Sequence, residues 1–396
     1  MRLLQITHKP PYPSIDGGCI AMKQVAEGLL SNGYHLDLIT LSTHKHPFDP
    51  NAFPQHERFQ VENHPVKTRV NPVGALASHL SGKSYNVSRF YDRKIAGSIA
   101  SKLKERTYDA VVLESIFSAV YYRDIRKAFD GPILLRSHNV EYQIWELRAK
   151  WEENKVVKRL LDSLAKRLKR FENYIWRSVD GILSISQADT NAIQKYCDTP
   201  VYTIPMGIVV PENPVIHQTE EPLFYHIGSM NWQPNVHGLK WLFEDAWPRA
   251  LEAHPQAEFH LAGVDTPKWF DHKREINVIS HGFVESATDF MNKYDVMVVP
   301  LFEGSGIRIK ILEAMALGKT VISTRLGAQG IPVNDRENIL LAEDAKEFTA
   351  ALEYIMNEPH QLQRIGEQAR QTIREHFELN VINAQLKAVT EDFCSH

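Results

Sequence analysis

The chain has 396 residues, too many for one ordinary hydrophobic core, and its length predicts two domains. With 43% hydrophobic and 23% charged residues it has the composition of a folded globular protein, and a net charge of −3 gives no general attraction to nucleic acid. Three scattered cysteines without a Cys-x-x-Cys pair argue against a disulfide framework or a zinc knuckle. The N-terminal "MRLLQITHKPPYP" fits a first strand better than a signal peptide, and no apolar run reaches a membrane span's length of roughly 18 residues. We therefore expect a soluble, cytoplasmic protein.

Short apolar runs alternate with helical periods, a pattern that predicts βαβ units and a parallel sheet in each half of the chain. The first half is predicted to contain one helix at residues 20–31 and strands at 3–7, 36–41, 110–113, 133–135 and 181–185. Residues 44–85 are polar and rich in proline and histidine, and we expect a long loop region there with one short strand.

The second half repeats this alternation after a proline-rich segment, "IPMGIVVPENPVIHQTEEP", at residues 204–222. Its predicted strands are 223–227, 259–262, 278–280, 296–299, 321–323 and 339–341, followed by helices at 345–356, 361–377 and 381–393. We expect an α/β protein with domains at 1–207 and 223–376, a linker at 208–222, and a helix at 377–396 that packs back on the first domain. Two doubly wound domains would hold ligands in a cleft outside the carboxyl ends of their strands.

The stretch "PLFEGSGIRIKILEAMALG", residues 300–318, indicates a strand end, a glycine-rich turn and a helix. Gly304 and Gly306 would let the backbone approach a ligand closely, and Ser305 could cap the helix that follows. The exposed N–H groups at a helix N-terminus suit the oxygens of a phosphate or a sugar. The stretch therefore predicts a ligand site at the carboxyl edge of the second sheet.

Three charged side chains follow this turn. Arg308 and Lys310 would oppose the helix dipole unless an anion binds there. Glu313 has two interpretations that its spacing leaves open. Its carboxylate could accept hydrogen bonds from two neighbouring hydroxyls such as those of ribose, or it could pair with Lys310 three residues earlier.

Two polar motifs lie in the first half. "SIDGGCIA", residues 14–21, holds Gly17 and Gly18, whose N–H groups either bind a diphosphate or acceptor or form only a turn. The spacing is not Gly-x-Gly-x-x-Gly and no acidic residue ends the next strand, which argues against a nicotinamide cofactor. "LLRSHNVE", residues 134–141, clusters polar residues after a predicted strand, where His138 is either a cleft residue or structural.

Other polar residues of that second motif also carry open interpretations. Arg136 and Asn139 belong to the same polar cluster, and Glu141 is either a cleft residue or the cap of the next helix. Glu114 is a further polar residue at the carboxyl end of a predicted strand.

"YHIGSMNWQPNVHGL", residues 225–239, predicts a strand, a Gly–Ser turn and the start of a helix. The turn region carries Ser229, Asn231 and Asn235. We interpret Trp232 as a core or interface aromatic rather than a stacking platform for a nucleobase.

Taken in order, these motifs resemble the family 4 retaining glycosyltransferases, which have the two-domain GT-B fold. The resemblance is carried by "EGSGIRIKILEAMALGKTVIST", "DGGCIAMKQVAEGLLSNGYHLDLIT", "RSHNVE", "ADTNAI", "LFYHIGSMNWQPN", "FHLAGVD" and "ISHGFVES". It covers nearly the whole chain and is closest to a subgroup with Gly-Ser-Gly-x-Arg-x-Lys-x-Leu-Glu-Ala-Met. It implies transfer of a sugar from a UDP- or GDP-sugar to an acceptor hydroxyl, with retention of configuration.

The resemblance also implies roles for individual residues. The second glutamate of a Glu-x7-Glu motif, a ribose ligand, matches Glu313, whereas the first position falls on Ser305 and Glu303 lies two residues out of register. His138 matches a histidine next to the transferred sugar, and Arg308 and Lys310 are the candidates that meet the diphosphate charge. The implied catalytic residues are His138, Arg308, Lys310 and Glu303. The implied donor-binding residues are Gly17, Gly18, Gly228, Ser229, Asn231, Phe283, Ser305, Gly306, Ile307 and Glu313.

The implied cofactor requirement is none beyond the nucleotide sugar itself, because no Asp-x-Asp metal motif is evident. The implied acceptor is a glycan, a lipid-linked sugar or a small molecule, and the implied setting is cell-surface polysaccharide or glycoconjugate synthesis. A nucleotide-sugar epimerase of the same fold and a non-catalytic nucleotide-binding scaffold are the alternatives, the second because the first glutamate is missing.

A basic segment at residues 155–177 has eight Lys or Arg residues against two acidic ones, with apolar residues at helical spacing. Such a helix either packs its apolar stripe on the domain, which we favour, or lies peripherally on an anionic membrane surface. The second interpretation would suit a lipid-linked acceptor.

Overall fold

The computed structural model describes residues 1–69, 84–215, 219–267, 269–270, 274–304 and 306–395. The chain forms two compact units. The first contains the residues up to Met206 together with those from Ile382 onward, and the second runs from Gly207 to Val381. Among the described residues, no helix combines the length and the apolar character that a membrane span requires. The prediction for Ser305 lies outside the described residues, as does part of the predicted loop region at 44–85.

The first unit is built on a seven-stranded sheet in which all the strands are parallel. Its strands, in the spatial order β3-β2-β1-β4-β5-β6-β7, are β1 (Arg2–Thr7), β2 (His35–Ser42), β3 (Phe59–Pro65), β4 (Ala110–Glu114), β5 (Ile133–Ser137), β6 (Gly181–Ser184) and β7 (Val201–Thr203). The central strands are buried along their length because helices cover both faces, which explains their continuous apolar runs. The chain order reverses between β1 and β4, where Thr7 pairs with Glu114.

Eight helices are described between the strands of this unit: α1 (Gly17–Ser31), α2 (Tyr85–Ser88), α3 (Arg93–Glu105), α4 (Ser115–Ser118), α5 (Tyr122–Arg126), α6 (Glu141–Lys150), α7 (Lys155–Trp176) and α8 (Gln187–Gln194). The last helix of the chain, α15 (Leu379–Cys394), contributes Ile382 and Leu386 to the core around β1 and β2. Burying an aliphatic side chain of this size stabilises a fold by about 1.5–3 kcal/mol. These contacts explain why the chain from Ile382 onward belongs to the first unit.

The second unit repeats the same winding with six parallel strands. The strands, in the order β10-β9-β8-β11-β12-β13, are β8 (Phe224–Ile227), β9 (Phe259–Ala262), β10 (Val278–Gly282), β11 (Val296–Val299), β12 (Thr320–Ser323) and β13 (Leu340–Leu341). The helices described here are α9 (Gln233–Trp241), α10 (Trp247–Ala253), α11 (Ala287–Met291), α12 (Ile309–Ala316), α13 (Ala345–Asn357) and α14 (Gln361–His376). A π-helical turn, Leu242–Ala246, joins α9 to α10.

The predicted fold class, two doubly wound Rossmann-like domains, is therefore confirmed. The structure adds β7, which the sequence did not predict, and places the short strand of the loop region at β3. It corrects one boundary that bears on function. α12 begins at Ile309, so Gly306 precedes the helix by three residues, and the N-cap residue is Arg308.

Candidate active site

In the second unit, the polar residues of interest follow β8 and β11, the neighbouring strands between which the chain order reverses. In open α/β sheets, ligands bind outside the carboxyl ends of the strands at this kind of switch point. The turn after β8 leads into α9, and the glycine-rich turn after β11 leads into α12. The fold thus brings the two motifs to one edge of the sheet.

Lys310 is the centre of a hydrogen-bonded group at this edge. Its Nζ lies 2.9 Å from His226 Nε2 and donates to Asn235 Oδ1 at 2.8 Å. His226 Nδ1 lies 2.8 Å from the Val298 carbonyl oxygen, a partner that can only accept, so Nδ1 carries the proton and Nε2 is free to accept from Lys310. Burial and then the neighbouring Arg308 charge lower the pKa of Lys310 to about 7. An anion bound at this edge would thus stabilise the charged form of Lys310.

Arg308 is buried at the start of α12. Its guanidinium lies over the Trp232 ring, 5.1 Å from the centroid, and Nη1 donates to the Gly306 carbonyl at 2.7 Å. Burial lowers the pKa of Arg308 to about 10, so the group stays charged at neutral pH. Trp232 also packs against the core of the second unit, which confirms its interpretation as a packing aromatic.

Glycines allow the two turns to come this close. Gly304 and Gly306 have φ values of 109° and 83°, in the left-handed region that side chains other than glycine rarely adopt. A Cβ at Gly228 would lie 3.0 Å from Lys310 Nζ and 2.9 Å from Asn235 Nδ2. A side chain at Gly228 would therefore displace the group around Lys310.

Glu313 and Glu303 differ in what they contact. The Glu313 carboxylate has neither an ion pair nor a side-chain hydrogen bond among the described residues, so the predicted alternative of a pair with Lys310 is wrong. Its side chain reaches solvent, yet neighbouring protein atoms remove enough water to raise the pKa of the carboxyl. Glu303 Oε1, by contrast, lies 2.8 Å from His237 Nδ1 on α9. Glu313 is thus available to a ligand, while Glu303 is already hydrogen-bonded within the unit.

The other donor-side candidates line the rim of the same edge. Ser229 Oγ donates to Asn231 Oδ1 at 2.7 Å, and Asn231 Nδ2 donates to Asp265 Oδ2 at 3.1 Å. Phe283 follows β10 and its side chain is 69% exposed. Ile307 is half-buried and packs against the core of the second unit.

In the first unit, the strands at the switch point carry a buried carboxylate–histidine pair. Glu114 ends β4, and its Oε2 lies 2.7 Å from Nε2 of His138, which follows β5. Gln5 Nε2 on β1 donates to the other carboxylate oxygen, Oε1, at 2.8 Å. Glu114 is fully buried and His138 nearly so. The carboxylate therefore fixes which ring nitrogen of His138 carries a proton and how the ring is oriented.

His8 and Ser115 extend this pair. His8 Nδ1 lies 2.8 Å from Ser115 Oγ, and Ser115 has φ of 70°, an uncommon value for a residue other than glycine. Burial, followed by the charge of Lys9, lowers the pKa of His8 well below its usual value. His8 is therefore neutral at physiological pH.

α1 begins at Gly17, three residues before the predicted start at residue 20, so Gly17 and Gly18 lie in its first turn and Asp16 is its N-cap. Asp16 Oδ1 accepts from the Cys19 N–H at 2.9 Å, and both carboxylate oxygens lie 2.7 Å from Lys9 Nζ. Burial alone would raise the pKa of Asp16, but the Lys9 and Cys19 hydrogen bonds hold it well below the usual range. The Asp16 carboxylate thus already neutralises part of the partial positive charge at the N-terminus of helix α1.

Asp16, Cys19 and His46 also bring potential metal-ligand atoms within 4.8 Å of one another, the one such group found among the described residues. His46 Nε2 lies 3.0 Å from Asp16 Oδ2. Lys9 pairs with both oxygens of the Asp16 carboxylate, so a metal ion would have to compete with this lysine for that ligand.

The structure decides two interpretations in the polar cluster at the end of β5. Arg136 is buried, and its Nη1 donates to the carbonyls of Ser184 and Ile204, joining β6 to the segment after β7. The cap of α6 is not Glu141. Glu172 on α7 accepts from the backbone N–H groups of Glu141 and Tyr142, at 2.9 and 2.8 Å.

Sequence reasoning missed His226, Gln5 and His8 as parts of these sites. Each is a polar residue within or directly after a buried apolar strand. A polar residue at such a position must find a hydrogen-bond partner, and this is the signal that could have identified them.

Comparison with known proteins supports one class of enzyme, the glycosyltransferases. Residues 221–358 match the family model "Glycosyl transferases group 1", and the whole chain has the GT-B fold of two-domain glycosyltransferases. The family match and the fold together support a glycosyltransferase.

Among individual relatives, an uncharacterized 44.6 kDa protein in the cps region of Klebsiella pneumoniae is 24% identical over 368 residues, which is 87% of this chain and 88% of the relative. Sucrose-phosphate synthase from Thermosynechococcus elongatus superposes with a TM-score of 0.72 at 17% identity, covering 100% of both chains. HepE from Anabaena, solved in complex with UDP, superposes with a TM-score of 0.69 at 13% identity, covering 99% of this chain and 100% of HepE. HepE was also solved in complex with UDP-glucose.

Proposed function

We propose that this chain transfers a hexose from a UDP- or GDP-sugar to an acceptor hydroxyl, with retention of anomeric configuration. The observation that carries the proposal is the edge of the second sheet, within the segment that matches the glycosyltransferase family model. There, Lys310 is a half-buried lysine whose charged form suits an anion, and Glu313 is a carboxylate with no protein partner among the described residues.

The charges at this edge match the parts of a nucleotide sugar. The leaving diphosphate gains negative charge as the glycosidic bond breaks, and positioned cations stabilise that charge in the transition state. Arg308 at the N-cap and Lys310 in the first turn of α12 supply two cations, and Glu313 is proposed to accept from the ribose hydroxyls. Because these cations can meet the phosphate charge, the proposed reaction needs no metal ion.

We propose that the anomeric configuration is retained because the acceptor hydroxyl attacks from the front face, assisted by the leaving phosphate. Retaining glycoside hydrolases instead use two carboxyl groups about 5–5.5 Å apart, one of which forms a covalent intermediate. Of the two glutamates next to the glycine-rich turn, Glu313 has no described partner and Glu303 is hydrogen-bonded to His237. A covalent intermediate therefore lacks an evident second carboxylate here.

The first unit is proposed to hold the acceptor and to present His138 to the transferred sugar. Glu114 would keep the His138 ring in one orientation and one tautomer. Because Nε2 donates to the Glu114 carboxylate, Nδ1 is the ring nitrogen that would form the hydrogen bond with a sugar hydroxyl.

A role in polysaccharide synthesis is supported by the relative in the cps region of Klebsiella pneumoniae. UDP-sugars are the first donors to test, because HepE was solved with UDP and with UDP-glucose. We propose that the protein works in the cytoplasm, where nucleotide sugars would be its donors.

Peripheral membrane contact is proposed for the first half of α7. The second half of that helix packs on the domain through residues such as Leu168 and Trp176, as the favoured interpretation expected. Near its start, however, Val156 is 75% exposed and Leu160 is 55% exposed, among basic residues. Exposed apolar side chains next to Lys and Arg suit an anionic membrane surface.

Product analysis of the purified chain tests the function. UDP- and GDP-sugars would be incubated with a panel of sugar acceptors, with and without EDTA, and the new linkage would be assigned by NMR. We expect a glycoside with the anomeric configuration of the donor, formed equally well with EDTA. Conversion of the nucleotide sugar without an acceptor would indicate an epimerase, and tight nucleotide binding without turnover would indicate a scaffold.

A further inference from the structure

A cavity of about 520 Å³ opens at the carboxyl edge of the first sheet. It is lined by residues that follow β1, β2 and β3, together with residues next to α2 and α4. Binding sites for small molecules typically measure roughly 300–1,000 Å³ and lie at this edge of open α/β sheets. The cavity therefore has the size and position of a ligand site.

The lining of the cavity is strongly basic. Seven of its eleven lining residues are Lys, Arg or His, and none is Asp or Glu. Asp16 neutralises part of this charge through its contacts with Lys9 and His46. Lys45, Arg69 and Arg89 have no ion pair with any described carboxylate, and residues 70–83, outside the described part of the chain, contain neither Asp nor Glu. Three positively charged side chains thus line one cavity without an ion-pair partner among the described residues.

Arg89 shows that the cavity suits an added acceptor group. Its side chain is half-buried, and its Nε is shielded from solvent with no hydrogen-bond partner among the described residues. A buried N–H that lacks an acceptor is destabilising unless a ligand or water supplies one. Guanidinium groups bind phosphate and carboxylate with two parallel hydrogen bonds, so an oxyanion is the acceptor that fits best.

Aromatic side chains also line the cavity next to these charges. Phe117 and Phe90 have ring centroids 5.3 Å apart, and the His8 ring lies 5.3 Å from that of Phe117. Aromatic side chains offer an apolar surface to a ligand such as the C–H face of a sugar ring. His8 in turn contacts Ser115, the residue next to Glu114, so the cavity adjoins the Glu114–His138 pair.

We propose that this cavity binds an acidic sugar as the acceptor, through a phosphate or carboxylate group that Arg89 and Lys45 hold while the sugar ring packs against Phe117. This proposal rests on the proposed function in one respect, that the first unit takes the acceptor. Phosphate and carboxylate share the chemistry of a charged oxyanion, and the binding panel separates the two.

Calorimetric titration of the full chain without nucleotide tests the proposal. The probes are glucose 6-phosphate, glucuronate and the neutral methyl glucoside. We expect one or both acidic sugars to bind at least tenfold more tightly than methyl glucoside, and the stronger of them identifies the oxyanion. Equal binding of all three, or no binding of either acidic sugar, would overturn the proposal.

Two substitutions and one control locate the site. Arg89→Gln and Lys45→Gln should each weaken binding of the acidic sugar at least tenfold and leave that of methyl glucoside unchanged. Lys45 is exposed, so its replacement tests the site even if Arg89→Gln impairs folding. Lys94→Gln, which removes an exposed lysine outside the cavity lining, should bind like the wild type. Wild-type affinity in both cavity variants would place the anion elsewhere.

UDP binding and sugar transfer, measured on the same protein, separate this inference from the proposed function. Transfer to neutral sugars without binding of either acidic sugar would contradict the proposal of an acidic acceptor but support the proposed glycosyltransferase function. Binding of an acidic sugar that depends on Arg89, without transfer from any donor, would support the proposed ligand of the cavity but contradict the proposed glycosyltransferase function.

Discussion

Lys310 Nζ and His226 Nε2 lie 2.9 Å apart in the second unit, and the direction of that hydrogen bond is set by the rest of the histidine ring. Burial and the charge of Lys310 lower the pKa of His226 well below its usual value, so the imidazole is neutral and its Nε2 accepts. Lys310 is thereby held at the sheet edge as a donor whose own pKa, about 7, is close to physiological pH.

This relationship predicts a pH dependence of nucleotide binding. A bound diphosphate favours the charged lysine, so the pKa of Lys310 should be higher in the complex than its free value of about 7. The contribution of Lys310 is then complete below about pH 7 and is lost as the pH rises towards its pKa in the complex. Calorimetry at about pH 8 in buffers with different ionisation enthalpies should detect proton uptake when UDP binds.

The source of that proton is tested by substitution. Lys310→Gln should abolish the proton uptake and weaken UDP binding, whereas Lys240→Gln, which removes an exposed lysine of α9, should leave both unchanged. Proton uptake that persists in Lys310→Gln would assign the titration to another group.

Glu313→Gln tests the ribose contact. The substitution keeps the size of the side chain but removes a charge-assisted hydrogen bond, typically about 1.5–3 kcal/mol. UDP affinity should therefore fall by at least about tenfold, since 1.4 kcal/mol corresponds to a factor of ten. Fluorescence or calorimetric titration measures it, with Glu244→Gln as an exposed control in the same unit. Unchanged UDP affinity in Glu313→Gln would remove this residue from the donor site.

Glu114→Gln tests whether the carboxylate positions His138. An amide in place of the carboxylate loses the charge that orients the His138 ring. We expect turnover to fall by about tenfold or more, equivalent to roughly 1.4 kcal/mol in the barrier, with a changed pH profile. UDP affinity, which depends on the second unit, should not change. A loss of thermal stability with an unaltered pH profile would instead assign Glu114 a structural role.

The sequence predicted the sheet of each unit because a parallel strand that is buried on both faces consists of a continuous run of apolar residues. Val296–Val299 is apolar and fully buried, and its predicted and observed limits agree. Alternation of such runs with helical periods was enough for the fold class. The start of α12 was misplaced because glycine and serine suggest a helix start, whereas the chain turns at Gly304 and Gly306 before α12 begins at Ile309.

The pairing of polar residues was not predictable, since it depends on side chains far apart in the chain. Spacing alone allowed Lys310 to pair with Glu313, but Asn235 and His226 bind it from another strand and helix. The sequence placed Arg136 in a polar cluster at the end of β5, but it could not show that its partners are the carbonyls of residues 184 and 204. Periodicity records burial, and it carries no information about which distant groups meet.

Glu172→Ala tests the cap that the structure assigns to α6. Removing this buried carboxylate leaves the N–H groups of Glu141 and Tyr142 without their acceptors, and loss of a helix cap typically costs about 0.5–2 kcal/mol. The free energy of unfolding, measured by urea denaturation, should fall by that amount or more because the site is buried. Asp162→Ala on the same helix, with no such contact described, should have a smaller effect. Equal losses would show that helix propensity, not capping, is responsible.

Exchange of two apolar residues tests the proposed membrane contact. Val156 and Leu160 lie four residues apart on α7, on adjacent turns, and both are more than half exposed. Burying each in a bilayer interface should contribute about 1.5–3 kcal/mol, so Val156→Gln with Leu160→Gln should reduce co-sedimentation with anionic vesicles by tenfold or more. Val209→Gln, which replaces a valine that is 73% exposed in the second unit, is the matched control. Because the basic residues of α7 contribute electrostatically, wild-type binding should also weaken with added salt. Equal sedimentation of the wild type and the double variant would show that Val156 and Leu160 do not contribute to membrane binding.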